Sequence, residues 1–171
     1  QPDGDLFIEY FNRHPEVKLI IAPHVIDENH LVEIIRKLKR PYVRYTRADE
    51  KNVRKADCLI IDCFGLLSSI YRYGEIAYIG GGFGVGIHNT LEAAVYGIPV
   101  IFGPKYQKFQ EAIHLLEAKG GFSIKSYEEL KILLDRMLGD EDFLREAGKN
   151  AGAYVTDNAG TTDKVLGMIN F

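Results

Sequence analysis

The sequence predicts an α/β protein with a Rossmann-like, doubly wound parallel sheet. Short apolar runs alternate with amphipathic stretches along all 171 residues. The runs are apolar at nearly every position, as strands buried on both faces of a parallel sheet are. One run then opens into five glycines within seven residues, Gly80, Gly81, Gly82, Gly84 and Gly86, followed by a helix start and another apolar run. That order brings backbone N–H groups close to a phosphorylated ligand at a helix N-terminus.

Six runs read as strands: Val17–Ala22, Tyr42–Tyr45, Cys58–Asp62, Ile76–Ile79, Pro99–Phe102 and Gly121–Ile124. Between and after them, helical patterns cover Leu6–Asn12, Glu28–Leu38, Leu66–Tyr73, His88–Tyr96, Phe109–Ala118, Tyr127–Leu138, Glu141–Tyr154 and Thr162–Met168. Asp27 is placed to cap the second helix, and Ser126 with Glu129 forms a capping box ahead of the sixth. The opening Gln1–Asp5 reads as a turn leading straight into a helix. A βαβ architecture begins on a strand, so the expectation is that a first strand, and whatever precedes it, is missing here.

Bulk composition narrows the classes. A chain of 171 residues with 46% hydrophobic and 26% charged residues suits one soluble domain. A net charge of −3 gives no overall attraction to nucleic acid. Cys58 and Cys63 lie on one extended segment, which favours free thiols over a disulfide and makes a poor metal site. No apolar run approaches the length of a membrane span. Nine basic residues between Arg36 and Lys55, opposed only by Asp49 and Glu50, read as a solvated face, with attraction to anionic lipid or phosphorylated substrate as the alternative.

Candidate ligand groups collect in the loops that follow strands, where open parallel sheets bind ligands. The glycine run matches neither the dinucleotide fingerprint nor the Walker pattern, so a tight crossover competes with an anion cradle. Asn89 and Glu92 can be a helix cap and its reciprocal partner, or Glu92 can accept hydrogen bonds from a ribose diol; spacing alone supports both. His88, at the helix start, can be structural or present a neutral imidazole to a sugar or phosphate oxygen. Pro23-His24 closes the first strand, and Phe64-Gly65-Leu66 leaves the third after Asp62-Cys63. Each reads as a ligand loop or as a plain turn. Tyr71, Tyr73 and Tyr78 read as core and rim packing.

From Gly86 to Pro104 the chain runs GIHNTLEAAVYGIPVIFGP, and upstream lie Asp62-Cys63-Phe64-Gly65-Leu66-Leu67, Tyr71 and Tyr78-Ile79-Gly80-Gly81. This pattern resembles the bacterial 3-deoxy-D-manno-octulosonic acid (Kdo) transferases over nearly the whole chain. The resemblance implies a GT-B glycosyltransferase, two Rossmann-like domains across a cleft, with this chain as the C-terminal, donor-binding half. It implies CMP-Kdo as donor substrate, no cofactor and no metal in the chemical step. A lipid A precursor would be held by an absent N-terminal half that also carries the catalytic base, so no catalytic residue is expected in this chain. The parent would work at the cytoplasmic face of the inner membrane. Residue by residue, Pro23 and His24 take the place of a Pro-Arg nucleotide contact, and Phe64, Gly65 and Leu66 would line the nucleotide. Gly86, His88, Asn89, Thr90, Leu91 and Glu92 would serve ribose and phosphate. Two departures stand out: His24 replaces the usual arginine, losing a permanent charge and a bidentate donor, and Leu66 replaces an acidic residue. Rival readings are a GT-B enzyme using a UDP-sugar, either a hexosyltransferase or an epimerase, and a non-catalytic nucleotide-binding module.

Overall fold

A computed structural model describes residues 2–169, and their side chains from Asp3 to Asn158. The chain forms two compact units, residues 3–70 and the part from Tyr71 onward. Each is built on a three-stranded parallel sheet.

The first unit opens on α1 (Pro2–Arg13), which begins earlier than the turn-like opening suggested. Proline suits a first helical position because its missing N–H would be unpaired there, and Asp3 and Asp5 complement the helix dipole. β1 (Leu19–Ile21) leads to α2 (Glu28–Lys37). As expected, Asp27 caps α2, accepting a 2.9 Å bond from the His30 amide. β2 (Tyr42–Arg44) and α3 (Glu50–Lys55) follow, then β3 (Cys58–Ile60) and the single turn α4 (Leu67–Ile70). β3 lies between its two partners, with Ile21, Ile60 and Arg44 level across the sheet. The core behind it holds Ile8, Phe11, Leu19, Leu31, Cys58 and Ile60.

The basic stretch is not uniformly solvated. Arg40, with its side chain only 11% exposed, donates to the carbonyls of Phe11, His14 and Pro15 and lies 4.0 Å over the Phe11 ring. Arg44 is equally enclosed, at 12%. A guanidinium can satisfy several fixed carbonyls at once, so these two serve as struts rather than as surface charge. α3, read only as part of that face, buries none of its residues. It is held by a reciprocal cap between Asp49 and Asn52.

The second unit runs β4 (Ala77–Ile79), α5 (Leu91–Ala94), β5 (Val100–Phe102), α6 (Gln110–Glu117), β6 (Gly121–Ser123), α7 (Tyr127–Gly139) and α8 (Glu141–Ile169). Its strands pair in chain order, with Ile79 opposite Phe102 and Phe102 opposite Ser123. The core comprises Ala77, Ile79, Ala93, Ala94, Val100, Phe102, Leu115 and Ala151. Ser126 caps α7 by accepting from the Glu129 amide at 3.2 Å, but the Glu129 carboxylate reaches the Lys125 amide instead of closing a reciprocal box. The two final helices expected from the pattern are one continuous α8. α5 is much shorter than the helix expected over His88–Tyr96. α8 approaches the turn after α5 through glycines. A Cβ on Gly148 would lie 2.4 Å from the Gly97 carbonyl oxygen, and one on Gly152 would lie 3.2 Å from the Gly97 Cα.

The expected parallel pairing and helix-flanked α/β architecture are present in each unit. The six strands hydrogen-bond as two sheets of three rather than as one ladder.

Candidate functional site

In the second unit the glycine run leaves β4 beside the loop that leaves β5, because those strands pair in parallel. The run is folded onto itself. The Gly84 and Gly86 amides both donate to the Gly81 carbonyl at 3.0 Å, and the His88 amide donates to Gly80 at 3.0 Å. Gly81 has φ +95°, and a Cβ there would sit 2.1 Å from the Gly86 oxygen. A Cβ on Gly82 would meet the Gly103 backbone at 2.5 Å, and the Lys105 amide donates to Gly82 at 2.9 Å. Gly86, at φ +151°, lies beneath the Phe109 ring. Glycine is thus required at these positions for packing and backbone conformation. Gly84, by contrast, is exposed, and a Cβ there would meet the Gly81 oxygen at an ordinary 3.7 Å.

Beyond the glycines, His88 and Asn89 are exposed, Thr90 is buried and Leu91 and Glu92 are half-buried. The helix cap is not the one spacing suggested. Asn89 Oδ1 accepts from the Leu91 amide at 2.9 Å, and Thr90, in helical conformation, is the N-cap without a side-chain bond. A reciprocal Asn89–Glu92 box is therefore not formed, which leaves the Glu92 carboxylate outside any cap. His88 lies before the helix rather than in its first turn. Burial pushes the Tyr71 hydroxyl up to about 12, and the nearby Glu92 charge acts in the same direction.

In the first unit, Pro23-His24 follows β1, and Phe64-Gly65-Leu66 follows β3. Since β1 and β3 pair in parallel, both loops leave one sheet edge. His24 is exposed, Phe64 is 82% exposed and Gly65 has φ +88°. Leu66 is half-buried, and its carbonyl accepts from Ile70 and from the Ser69 hydroxyl.

A charged cluster that the sequence did not reveal lies on this edge. The Asp62 side chain is fully enclosed. It accepts from the Thr46 amide at 2.9 Å, the Thr46 hydroxyl at 2.5 Å and Arg44 Nε at 3.0 Å. Arg44 also grips both oxygens of Glu28, at 2.8 and 3.0 Å. Burial pushes the Asp62 carboxyl up, but the Thr46 and Arg44 hydrogen bonds outweigh it and hold the group below its ordinary value. The Arg44 hydrogen bond likewise lowers Glu28, and these partners raise Arg44. The members lie 16 to 18 residues apart, beyond the reach of any local pattern.

Among the described residues no group of three or more His, Cys, Asp or Glu could hold a metal. No helix there is long and apolar enough to cross a membrane.

The parallel sheets, flanking helices and glycine loop at a strand end define the chain as Rossmann-like α/β. The solved C-terminal CMP-Kdo binding domain of WaaA from Acinetobacter baumannii shares that fold. It aligns at a TM-score of 0.67 and 19% identity, over 87% of this chain and 83% of that one. In sequence the chain is similar to proteins named 3-deoxy-D-manno-octulosonic acid transferase. The protein of that name from Aquifex aeolicus (strain VF5) is 35% identical over 134 residues, 77% of this chain and 36% of the relative. The one from Chlamydia muridarum (strain MoPn / Nigg) is 30% identical over 158 residues, 90% of this chain and 36% of the relative. The chain thus spans about a third of the length of these curated relatives. No family model matches it.

Proposed function

We propose that this chain is the donor-binding part of a glycosyltransferase that moves Kdo from CMP-Kdo to a lipid A precursor. The observation that carries this reading is the Gly80–Glu92 loop, tied to itself by hydrogen bonds at the strand-exit edge of a parallel sheet, in a chain similar to Kdo transferases. In the overall step an acceptor hydroxyl oxygen bonds to the anomeric carbon as the bond to CMP breaks. The hydroxyl proton goes to a base in an N-terminal acceptor half, and no cofactor takes part. The parent works at the cytoplasmic face of the inner membrane, where such an acceptor resides.

Each group of residues has its own part in this reading. In the second unit, Glu92 accepts from the ribose hydroxyls, and the exposed His88 and Asn89 approach the phosphate. Thr90 is 3% exposed and Gly86 is packed against Phe109, so these two and Leu91 serve through backbone and shape. In the first unit, Pro23, His24, Phe64, Gly65 and Leu66 contribute to nucleotide recognition, the exposed Phe64 ring offering a face for a base. A fixed backbone around a leaving phosphate stabilises the charge that develops there without reorganising.

The test is a titration of the chain with CMP, UMP and AMP by calorimetry. CMP is expected to bind selectively, and Glu92→Ala to weaken it about tenfold, the loss of one charge-assisted hydrogen-bond pair. Preference for UMP would move the reading to an enzyme with a UDP-sugar donor. Unchanged CMP affinity in Glu92→Ala would remove Glu92 from the site.

A further inference from the structure

We infer that Asp62 is a positioning residue: through Thr46 and Arg44 it fixes the exit of β3, and so the shape of the Cys63–Leu66 loop, without touching the ligand. The inference rests on the donor-site reading above for its consequence in binding. Asp62 is the second residue after β3 and immediately precedes the loop. Its side chain is fully enclosed, so it cannot itself reach a nucleotide. Its oxygens take three hydrogen bonds from two residues of a different segment, the end of β2 and the turn beyond it. Arg44 carries the tie onward to Glu28 in the first turn of α2. One carboxylate therefore joins the segments following β2 and β3 and, through Arg44, the helix that follows the Pro23-His24 loop.

The loop has little else to hold it. Phe64 projects into solvent, Gly65 takes a left-handed conformation, and the Leu66 carbonyl bonds locally, to Ser69 and Ile70 of the next turn. A loop so placed owes its conformation to its anchored end. Asp62→Asn keeps the size of the side chain but sets an NH2 against donors of Thr46 or Arg44. Thr46→Val removes the hydroxyl bond alone, and Thr46→Ser retains it.

The experiment is NMR on the 171-residue chain. Heteronuclear NOEs of the Cys63–Leu66 amides would be measured in the unmodified chain, Asp62→Asn, Thr46→Val and Thr46→Ser, with CMP titrated into each. Asp62→Asn is expected to lower those NOEs and weaken CMP about tenfold, a loss typical of a hydrogen bond to a charged group. Thr46→Val should do the same to a smaller degree, Thr46→Ser should restore both, and amides of the second unit should keep their NOEs. If Asp62→Asn does not fold, the Thr46 pair decides. A folded Asp62→Asn with unchanged loop NOEs overturns the inference. So does a folded Asp62→Asn with a disordered loop and unchanged CMP affinity. If the unmodified chain binds no CMP, the donor reading falls, and the NOEs alone still decide whether Asp62 positions the loop.

Discussion

Cys58 and Cys63 are both free and five positions apart, yet their surroundings give them opposite chemistry. Cys58 is 1% exposed, and burial pushes its thiol up to about 12; Cys63 is only half-buried. The thiolate is the nucleophile, and a shift of this size from 9.0 leaves about a thousandfold less of it at neutral pH. Iodoacetamide at pH 8, followed by peptide mass spectrometry, should therefore label Cys63 while leaving Cys58 unmodified until the chain unfolds. Single residues also show what a sequence conceals. Asp27 as a cap depends on a partner three positions away and was legible. Asp62 reads as no more than a polar strand exit, because Thr46 and Arg44 reach it from another segment. The exposed-looking run of cations hid the same way, since enclosure of Arg40 by three carbonyls is a property of the fold.

Elements were legible where they are long or apolar and less so where they are short. All six strands and the helices α2, α6 and α7 fall where periodicity placed them, because burial on both faces or on one stripe writes itself into the residues. The helix expected over His88–Tyr96 was too long at both ends, by His88–Thr90 and Val95–Tyr96, and the backbone forms α5 only over Leu91–Ala94. The tightly folded glycine run leads to a sharp expectation. Gly81→Ala would force an L residue to φ +95° and drive a methyl onto the Gly86 carbonyl. It should cost at least about 1–3 kcal/mol from backbone strain alone, measured by urea denaturation. The end of α6 offers the converse. Lys119 adopts φ 62° without being glycine, so Lys119→Gly should stabilise the chain by up to about 1 kcal/mol in the same assay.

Over the whole molecule, acid sensitivity follows the carboxylates that hold ion pairs and hydrogen bonds. Three carboxylates of the first unit, Glu28, Asp57 and Asp62, are held below their ordinary values. In Glu28 the cause is the Arg44 hydrogen bond, and in Asp57 it is the Lys18 hydrogen bond. In Asp62 it is the Thr46 and Arg44 bonds that outweigh burial. A depressed folded value means stabilisation that is complete above the ordinary values of 4.5 and 3.8 and is lost as pH falls through the folded ones. Amide exchange between pH 6 and pH 3 should accordingly show residues 3–70 losing protection as the pH falls, and Asp62→Asn should flatten part of that dependence.

The glycine contact between α8 and Gly97 carries a consequence for how the second unit can vary. A four-residue helix is too short to hold itself together in water, since the first turn costs more than its bonds return. α5 therefore borrows its order from a partner some fifty positions further along the chain. With Gly148 and Gly152 seated on the Gly97 turn and close to the Ala94 carbonyl, α8 acts as a splint at the C-terminal end of α5. Bulk added on its glycine face would be felt at Glu92, a residue that α8 need never contact. A screen for altered donor preference thus has a second place to look, on a helix remote in sequence from the loops proposed to hold the donor.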